Sequence, residues 1–339
     1  MNQVQEHEIL YLSKQHIVEL GGMHSAPYVA AVTRAFELHA KGEFMQPLKP
    51  YLRVNGDAGH IADRIIAMPA YVGGEVAVSG LKWIGSKHDN PAKRNKERAS
   101  ALIILNDPES NYPIAVMEGS LISGMRTAAV TVIGAKHLAK KDFGAVSVIG
   151  CGVIAKMQIT SLVEQFAAIH TVRLFDLNRE NALRLVEELR EQFKQVEFKV
   201  VESAEQAVRQ AEVLVTATVA SAPYIPYEWL SKGTFISNIS IMDVHKDVFV
   251  HADKVVVDDW DQSNREKKTI NQLVLEGKFS REQLHAEMGE IVIGSKPGRE
   301  NDDEIILLNP MGMAVEDISS AAEIYAQAVK KGIGTRLCL

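Results

Sequence analysis

Two rhythms of apolar and polar residues divide this chain. Over the first third, short apolar runs at residues 8–12, 51–53, 64–69, 76–84, 101–105 and 114–118 have strand patterns, and proline- and glycine-bearing turns separate several of them. Residues 25–41 instead carry Val29, Val32, Ala35, Phe36 and Leu38 at helical spacing, and Gly42 stands where that helix stops. Residues 121–138 form a second helix around Met125-Arg126-Thr127-Ala128-Ala129. Strands preceding helices without strict alternation predict an α+β first domain. Between them, residues 86–98 are strongly charged and predict a solvated loop, placed where it can rim a site.

From Val146 onward the texture changes to regular strand–helix alternation. Helical patterns follow Ile154, Met157, Leu162, Val163 and Phe166, and again span residues 181–193 and 204–211. Strand patterns fall at 171–176, 198–201, 213–218, 235–240, 254–258 and 305–308. Residues 267–278 and 281–288 read as exposed helices, and 315–331 as a terminal helix that returns to the first domain. The expected class is α/β, with residues 131–314 as a Rossmann-type dinucleotide-binding domain. Residues 1–130, completed by 315–339, form an α+β domain.

Composition narrows the partners. At 339 residues, 46% hydrophobic and 24% charged, the chain has the make-up of a soluble two-domain protein. A formal net charge of −6 offers no broad basic field, which argues against nucleic acid or an anionic membrane as main partner. The two cysteines, Cys151 and Cys338, form no disulfide framework and fit a reduced, cytoplasmic setting. Residues 1–14 lack a signal-peptide pattern, and no apolar run approaches the roughly 20 residues of a membrane span.

The chemistry centres on Val146-Ser147-Val148-Ile149-Gly150-Cys151-Gly152-Val153-Ile154-Ala155. Gly150 permits the tight turn, Gly152 lets backbone approach a pyrophosphate, and Ala155 allows close packing of helix on strand. The anion then meets the positive helix N-terminus. Asp176 falls 26 residues after Gly150, at the end of the second strand, where an acid holds the adenosine ribose and repels a 2′-phosphate. That favours NAD over NADP. Arg179 is the one neighbour arguing for NADP, and the competing role for Asp176 is a helix cap, which Asn178 can fill equally well. Thr216 and Thr218 lie at the carboxyl end of a later strand, and Asp243 follows the next.

In the first domain Arg53, Arg64, Lys82, Arg98 and Arg126 are the candidate anion-binding cations. Arg126 is the most informative, because a large cation among Thr127, Ala128 and Ala129 has little reason to be buried unless it meets an anion. Lys82, beside Trp83 near the end of an apolar run, is placed for partial desolvation. Spacing alone does not lift these five above surface residues. Among eleven histidines there is no metal-ligand spacing, so no metal is expected; His60, His88 and His245 are possible proton carriers.

These motifs together resemble the ornithine cyclodeaminase/mu-crystallin family along nearly the whole chain. Gly80-Leu81-Lys82 with Asn90-Pro91, Met125–Ala129, the Gly150 turn, Thr216-Ala217-Thr218, and Gly312 with Asp317 carry the resemblance. The runs 46–53, 60–69, 82–91 and 237–246 resemble one branch, the dehydrogenases of 2,3-diaminopropionate biosynthesis in siderophore pathways of the staphyloferrin B type. The resemblance implies a homodimer whose first domain binds substrate and dimerises. It implies NAD-dependent oxidation of N-(1-amino-1-carboxyl-2-ethyl)-glutamate, releasing 2-oxoglutarate and L-2,3-diaminopropionate. It maps catalytic roles onto Lys82 and Asp243, and substrate binding onto Arg126, with Arg53 and Lys82 as further cations for a substrate carrying three carboxylates. It places NAD on Gly150, Gly152, Val153, Ile154, Asp176, Thr216, Thr218, Ser240 and Gly312, although the Gln common before the last Ala of the turn is Ile154 here. Other activities of the family (ornithine cyclodeaminase, alanine dehydrogenase, ketimine reductase) and a non-catalytic nucleotide-binding crystallin are the alternatives.

Overall fold

A computed structural model describes residues 7–56, 60, 62–240, 242–266 and 268–339. Residues 1–6, Ile61, Ile241 and Lys267, to which some of the sequence readings extend, lie outside the described residues. Internal contacts divide the chain into two units, Met1–Arg126 with Met313–Leu339, and Thr127–Gly312. Helix Ser120–Leu138 carries the first of these boundaries. Most of its residues are buried, as befits a helix apolar on nearly every side. Glu118 caps its start, accepting from the backbone N–H of Ser120 (2.6 Å) and Leu121 (3.1 Å).

The first unit is built on a sheet ordered Thr335–Cys338, Glu8–Leu12, Pro113–Glu118, Ala99–Asn106, Val78–Ser86, Arg64–Val72 and Phe44–Met45, with Tyr51–Leu52 also on Arg64–Val72. Every pairing is antiparallel except Glu8–Leu12 with Pro113–Glu118. The terminal helix Ala314–Lys331 lies on the three strands from Arg64 to Asn106 and beside helix Ser25–Lys41. Its stripe of Ala314, Ile318, Ala321, Ile324 and Ala328 is buried at helical spacing, and Ser319 Oγ donates to the Ala31 carbonyl at 2.9 Å. Gly80 makes the close approach possible. A Cβ there would stand 2.6 Å from the Ile104 carbonyl oxygen and 2.8 Å from Ile318 Cδ1. The strand carrying Lys82 runs Val78–Ser86, so Lys82 sits at its middle, opposite Met68 and Ile103, rather than near its end as the apolar run suggested. The charged stretch after it is less loop-like than expected, because Asn90–Arg94 winds into a helical turn with Pro91 in its first turn.

In the second unit, all strands are parallel, in the order Glu197–Val200, Thr171–Phe175, Ala145–Ile149, Val213–Thr216, Phe235–Asn238, Ile306–Leu308, Lys254–Val257 and Ala286–Glu287. The central strands are buried along their whole lengths, as a sheet covered on both faces requires. Strand order reverses between Ala145–Ile149 and Val213–Thr216, the switch point beyond which ligands bind in such sheets.

Two expectations fail here. The helix expected over 267–278 is Thr269–Leu275, and it is not an exposed one, since Ile270 and Leu273 enter the core. Residues 281–288 are not a helix. Arg281–Gln283 is a single 3-10 turn, and Ala286–Glu287 adds a strand beside Lys254–Val257. Leu284, Ala286 and Met288 are buried at a period of two, a strand rhythm obscured by the polar His285 and Glu287 between them. No helix among the described residues is long and apolar enough to cross a membrane.

Candidate active site

In the first unit, burial and pairing single out one cluster. Lys82 is 1% exposed, and its Nζ donates to Asp317 Oδ2 at 2.6 Å and Ser123 Oγ at 3.1 Å. Arg126 donates from Nε to Asp317 Oδ1 at 2.9 Å and from Nη1 to Glu316 Oε2 at 2.7 Å. Asp317 thus bridges the two cations, and neither carboxylate engages Arg126 Nη2. Both acids are fully buried on the first turn of the terminal helix, where carboxylates complement the helix dipole. Burial, and then the charge of Arg126, push the Lys82 ammonium down to about 7, against the pull of Asp317. Burial would raise Asp317, but Arg126 and Lys82 outweigh it and hold its carboxyl below the usual range. Lys49, 2% exposed, adds a further positive charge acting on Lys82.

The sequence expectation that Arg126 meets an anion therefore holds, with Glu316 and Asp317 as the anions. Arg53 is half-buried with its guanidinium 5.4 Å from the centre of the Tyr51 ring, which Arg64 also approaches at 5.5 Å. His60 stacks on His88 with centroids 4.2 Å apart, and His88 Nδ1 lies 2.8 Å from Asp63 Oδ1. His60, Asp63 and His88 bring donor atoms within 4.8 Å of one another, a set able to hold a metal ion although no ligand spacing announces it in the sequence. Its surroundings oppose a cation. Lys87 Nζ already reaches Asp63 Oδ2 at 3.3 Å, and Arg64 and Arg98 both disfavour a positive charge on His60. His245 is the N-cap residue of helix Lys246–His251 and belongs to the other unit.

In the second unit, Gly150 adopts φ +87°, and a Cβ there would strike the Ala217 carbonyl oxygen at 2.6 Å. Gly152 is the N-cap of helix Val153–Gln165, with no side chain capping it and nothing within 4 Å of where its Cβ would be. The first-turn N–H groups and the open space beside Gly152 fit a dinucleotide pyrophosphate. Val153 is exposed and Ile154 half-buried on that first turn. Asp176 holds the turn from across the sheet. Its Oδ2 accepts from Cys151 N at 2.8 Å, and its Oδ1 from Asn178 N at 2.8 Å. Asn178 caps helix Arg179–Gln192, so the helix-cap role belongs to it and not to Asp176.

Beyond the neighbouring strand ends, Thr216 Oγ1 donates to Asn238 Oδ1 and Asn238 Nδ2 to Asn309 Oδ1, both at 2.7 Å. Ser240 Oγ accepts from Thr218 N at 2.8 Å, and Thr218 Oγ1 donates to Asp243 Oδ1. Asp243 is fully buried, and burial raises its carboxyl despite Ser240, Thr218 and Tyr224. The Tyr224 hydroxyl, itself pushed up by burial and then by Asp243, is a close electrostatic neighbour of that carboxylate. Gly312 takes φ +73°, and the fully buried Asp258 accepts from the backbone N–H groups of Met311 and Gly312.

Sequence reasoning missed Lys49, Ser123, Tyr224, Asp258 and Glu316 as parts of these clusters, and had Asp317 only as a motif residue. The signal for the last two was present: Glu316-Asp317 interrupts the apolar face Ala314, Val315, Ile318 of a helix. Buried acids at such positions need cations.

With the geometry established, comparison with known proteins defines the class. A model of the ornithine cyclodeaminase/mu-crystallin family matches residues 11–332, and the chain belongs to that family. It is 63% identical over 332 residues to N-((2S)-2-amino-2-carboxyethyl)-L-glutamate dehydrogenase of Staphylococcus aureus (strain NCTC 8325 / PS 47), covering 98% of this chain and 99% of that protein. Among solved structures, Thermococcus litoralis Δ1-pyrroline-2-carboxylate reductase in complex with NADH and L-proline superposes with a TM-score of 0.90 at 32% identity, over 96% of this chain and 99% of that one. An archaeal alanine dehydrogenase dimer with bound NAD gives 0.87 at 33% identity, over 98% and 99%. The fold is thus a Rossmann-type nucleotide-binding unit with an α+β unit, as expected from the sequence.

Proposed function

We propose that the protein is an NAD-dependent dehydrogenase that oxidatively cleaves N-((2S)-2-amino-2-carboxyethyl)-L-glutamate to 2-oxoglutarate and L-2,3-diaminopropionate, a siderophore precursor. The observation carrying this is the near-full-length 63% identity to the staphylococcal enzyme. The buried Lys82–Asp317–Arg126 cluster gives the assignment its chemistry. A homodimer is the assembly that accords with the archaeal relative. The two free cysteines accord with a cytoplasmic location.

Gly150, Gly152, Val153 and Ile154 would hold the pyrophosphate, Asp176 the ribose, and Thr216, Thr218, Ser240 and Gly312 the remainder of NAD. Bound there, NAD supplies the hydride acceptor for the glutamyl Cα. Lys82, neutral above about pH 7, takes the proton from the substrate's secondary amine so that its lone pair can drive oxidation to the ketimine. Arg126 turns Nη2 toward a substrate carboxylate while Glu316 and Asp317 fix its plane. Once that proton has passed to solvent, as the one proton the reaction releases, neutral Lys82 draws a proton from the water that adds to the imine carbon. Asp243, whose carboxyl burial raises toward the protonated form, is suited to give a proton to the departing amine nitrogen. The balance is substrate, NAD and water giving 2-oxoglutarate, diaminopropionate, NADH and a proton.

Incubation with NAD and the glutamyl substrate should yield NADH and 2-oxoglutarate in equal amounts, read by absorbance and mass spectrometry. NADH formation from alanine or proline in its place, without turnover of the glutamyl substrate, would overturn the reading. In Asp176→Asn, losing one negative charge beside the ribose should lower the preference for NAD over NADP by roughly tenfold, or about 1.4 kcal/mol. An unchanged ratio of kcat/KM values for the two cofactors would remove Asp176 from that role.

A further inference from the structure

Asp258 stands just beyond strand Lys254–Val257, fully buried, and gathers donors from two stretches of chain. Its Oδ1 accepts from Asp259 N at 3.0 Å and from Ser263 Oγ at 3.3 Å. Met311 N lies 2.9 Å from both carboxylate oxygens, and Gly312 N donates to Oδ2 at 2.5 Å. Hydrogen bonds to a carboxylate are stronger than those between neutral groups. The turn 309–312 is fastened at its other end as well. Asn309 N donates to the Val256 carbonyl at 2.8 Å, and its side chain ends the run Thr216–Asn238–Asn309 across the strand ends.

This clamp decides which way the peptides of the turn face. The peptide bonds of the described residues are trans, and in a trans peptide the N–H and C=O point in opposite directions. With the N–H groups of Met311 and Gly312 drawn to Asp258, the carbonyls of Pro310 and Met311 are turned away from it, each with two lone pairs. Gly312, at φ +73°, takes a left-handed conformation that glycine adopts at no steric cost.

The sheet order gives the turn its place along a bound dinucleotide. Asp176 follows strand Thr171–Phe175, on one side of Ala145–Ile149 and its glycine turn. The turn 309–312 follows Ile306–Leu308, three strands away on the other side, or about 14 Å at the usual strand spacing. A dinucleotide with its adenosine ribose at Asp176 and its pyrophosphate at Gly150 and Gly152 runs its nicotinamide half toward that side. The carboxamide of the ring brings an NH2 group with two donors, and backbone carbonyls are matching acceptors.

We propose that Asp258 is a positioning residue of the nicotinamide half-site. By holding two N–H groups it presents the carbonyls of Pro310 and Met311 to the carboxamide, so that the protein selects an amide over an acid at that ring position. This rests on the proposed placement of NAD and is tested by binding alone. The probes are NAD, nicotinic acid adenine dinucleotide, which carries a carboxylate in place of the carboxamide, and ADP-ribose, which lacks the ring. Each is titrated calorimetrically into the full-length protein.

The wild-type protein should bind NAD at least about tenfold more tightly than the acid analogue, because carbonyl oxygens repel a carboxylate. In Asp258→Asn an NH2 group faces the donors of the turn, so a peptide turns over and offers an N–H where a carbonyl stood. NAD should weaken by roughly tenfold, the preference for amide over acid should fall by about the same factor, and ADP-ribose should stay within about twofold. Gly312→Ala strains the same turn without touching the carboxylate, and should lose the amide preference in the same way. Equal binding of NAD and the acid analogue by the wild type would overturn the half-site. So would an amide preference that survives in both variants, or a parallel loss for NAD and ADP-ribose. Failure of the wild type to oxidise the glutamyl substrate, with the amide preference present and lost in the variants, would overturn the reaction and leave the half-site standing.

Discussion

Lys82→Met should lower kcat by roughly 10²–10⁴-fold, the usual worth of a positioned proton-transfer group. The substitution keeps the chain's volume in a fully buried position, so the fold should survive, and NAD affinity, which the proposed site places on the other unit, should be unchanged. In the proposed mechanism the same lysine sets the acid limb of the wild-type profile. Its ammonium is depressed to about 7, and the mechanism uses the neutral amine, so kcat/KM should rise with pH through about 7 and level above it. Asp317 favours the ammonium, so Asp317→Asn should move that limb to lower pH. A kcat within tenfold of wild type in Lys82→Met, or a limb that does not move in Asp317→Asn, would take Lys82 out of the proton transfers.

The second large effect is on stability. Asp317→Ala leaves Lys82 and Arg126 buried without their shared carboxylate, and removing one partner from a buried ionic cluster costs about 3–5 kcal/mol. That is a large share of the roughly 5–15 kcal/mol by which domains are stable. Chemical denaturation should show a lower midpoint for the first unit. The double variant Lys82→Met/Asp317→Ala should recover part of the loss, since one buried cation no longer needs a counter-ion. No recovery in that double variant would show that the cost comes from packing and not from charge.

Much of the architecture was legible because it follows from period. The glycine turn, the strand–helix alternation after Val146 and the terminal helix are all patterns carried by neighbours in sequence. The period failed at 281–288, where His285 and Glu287 between Leu284, Ala286 and Met288 hid a two-residue alternation. The candidate site was legible only in part for a different reason. Lys82 and Arg126 stand out as cations among apolar or small residues, but their carboxylates lie 235 and 191 positions away. Spacing rules do not reach across such distances. Nor does sequence reveal that Arg53 rests on Tyr51 while Lys49, four residues earlier, is buried and acts on Lys82.

The bridge from Lys82 to Asp317 also fixes an order of events during synthesis. The ribosome finishes the nucleotide-binding unit, Thr127–Gly312, before it delivers the helix that carries Glu316 and Asp317. Units tend to fold as they emerge. The nascent chain therefore holds a complete glycine turn while Lys82 and Arg126 still lack their buried counter-ions, and the ionic cluster of the first unit closes only after the helix Ala314–Lys331 has been made.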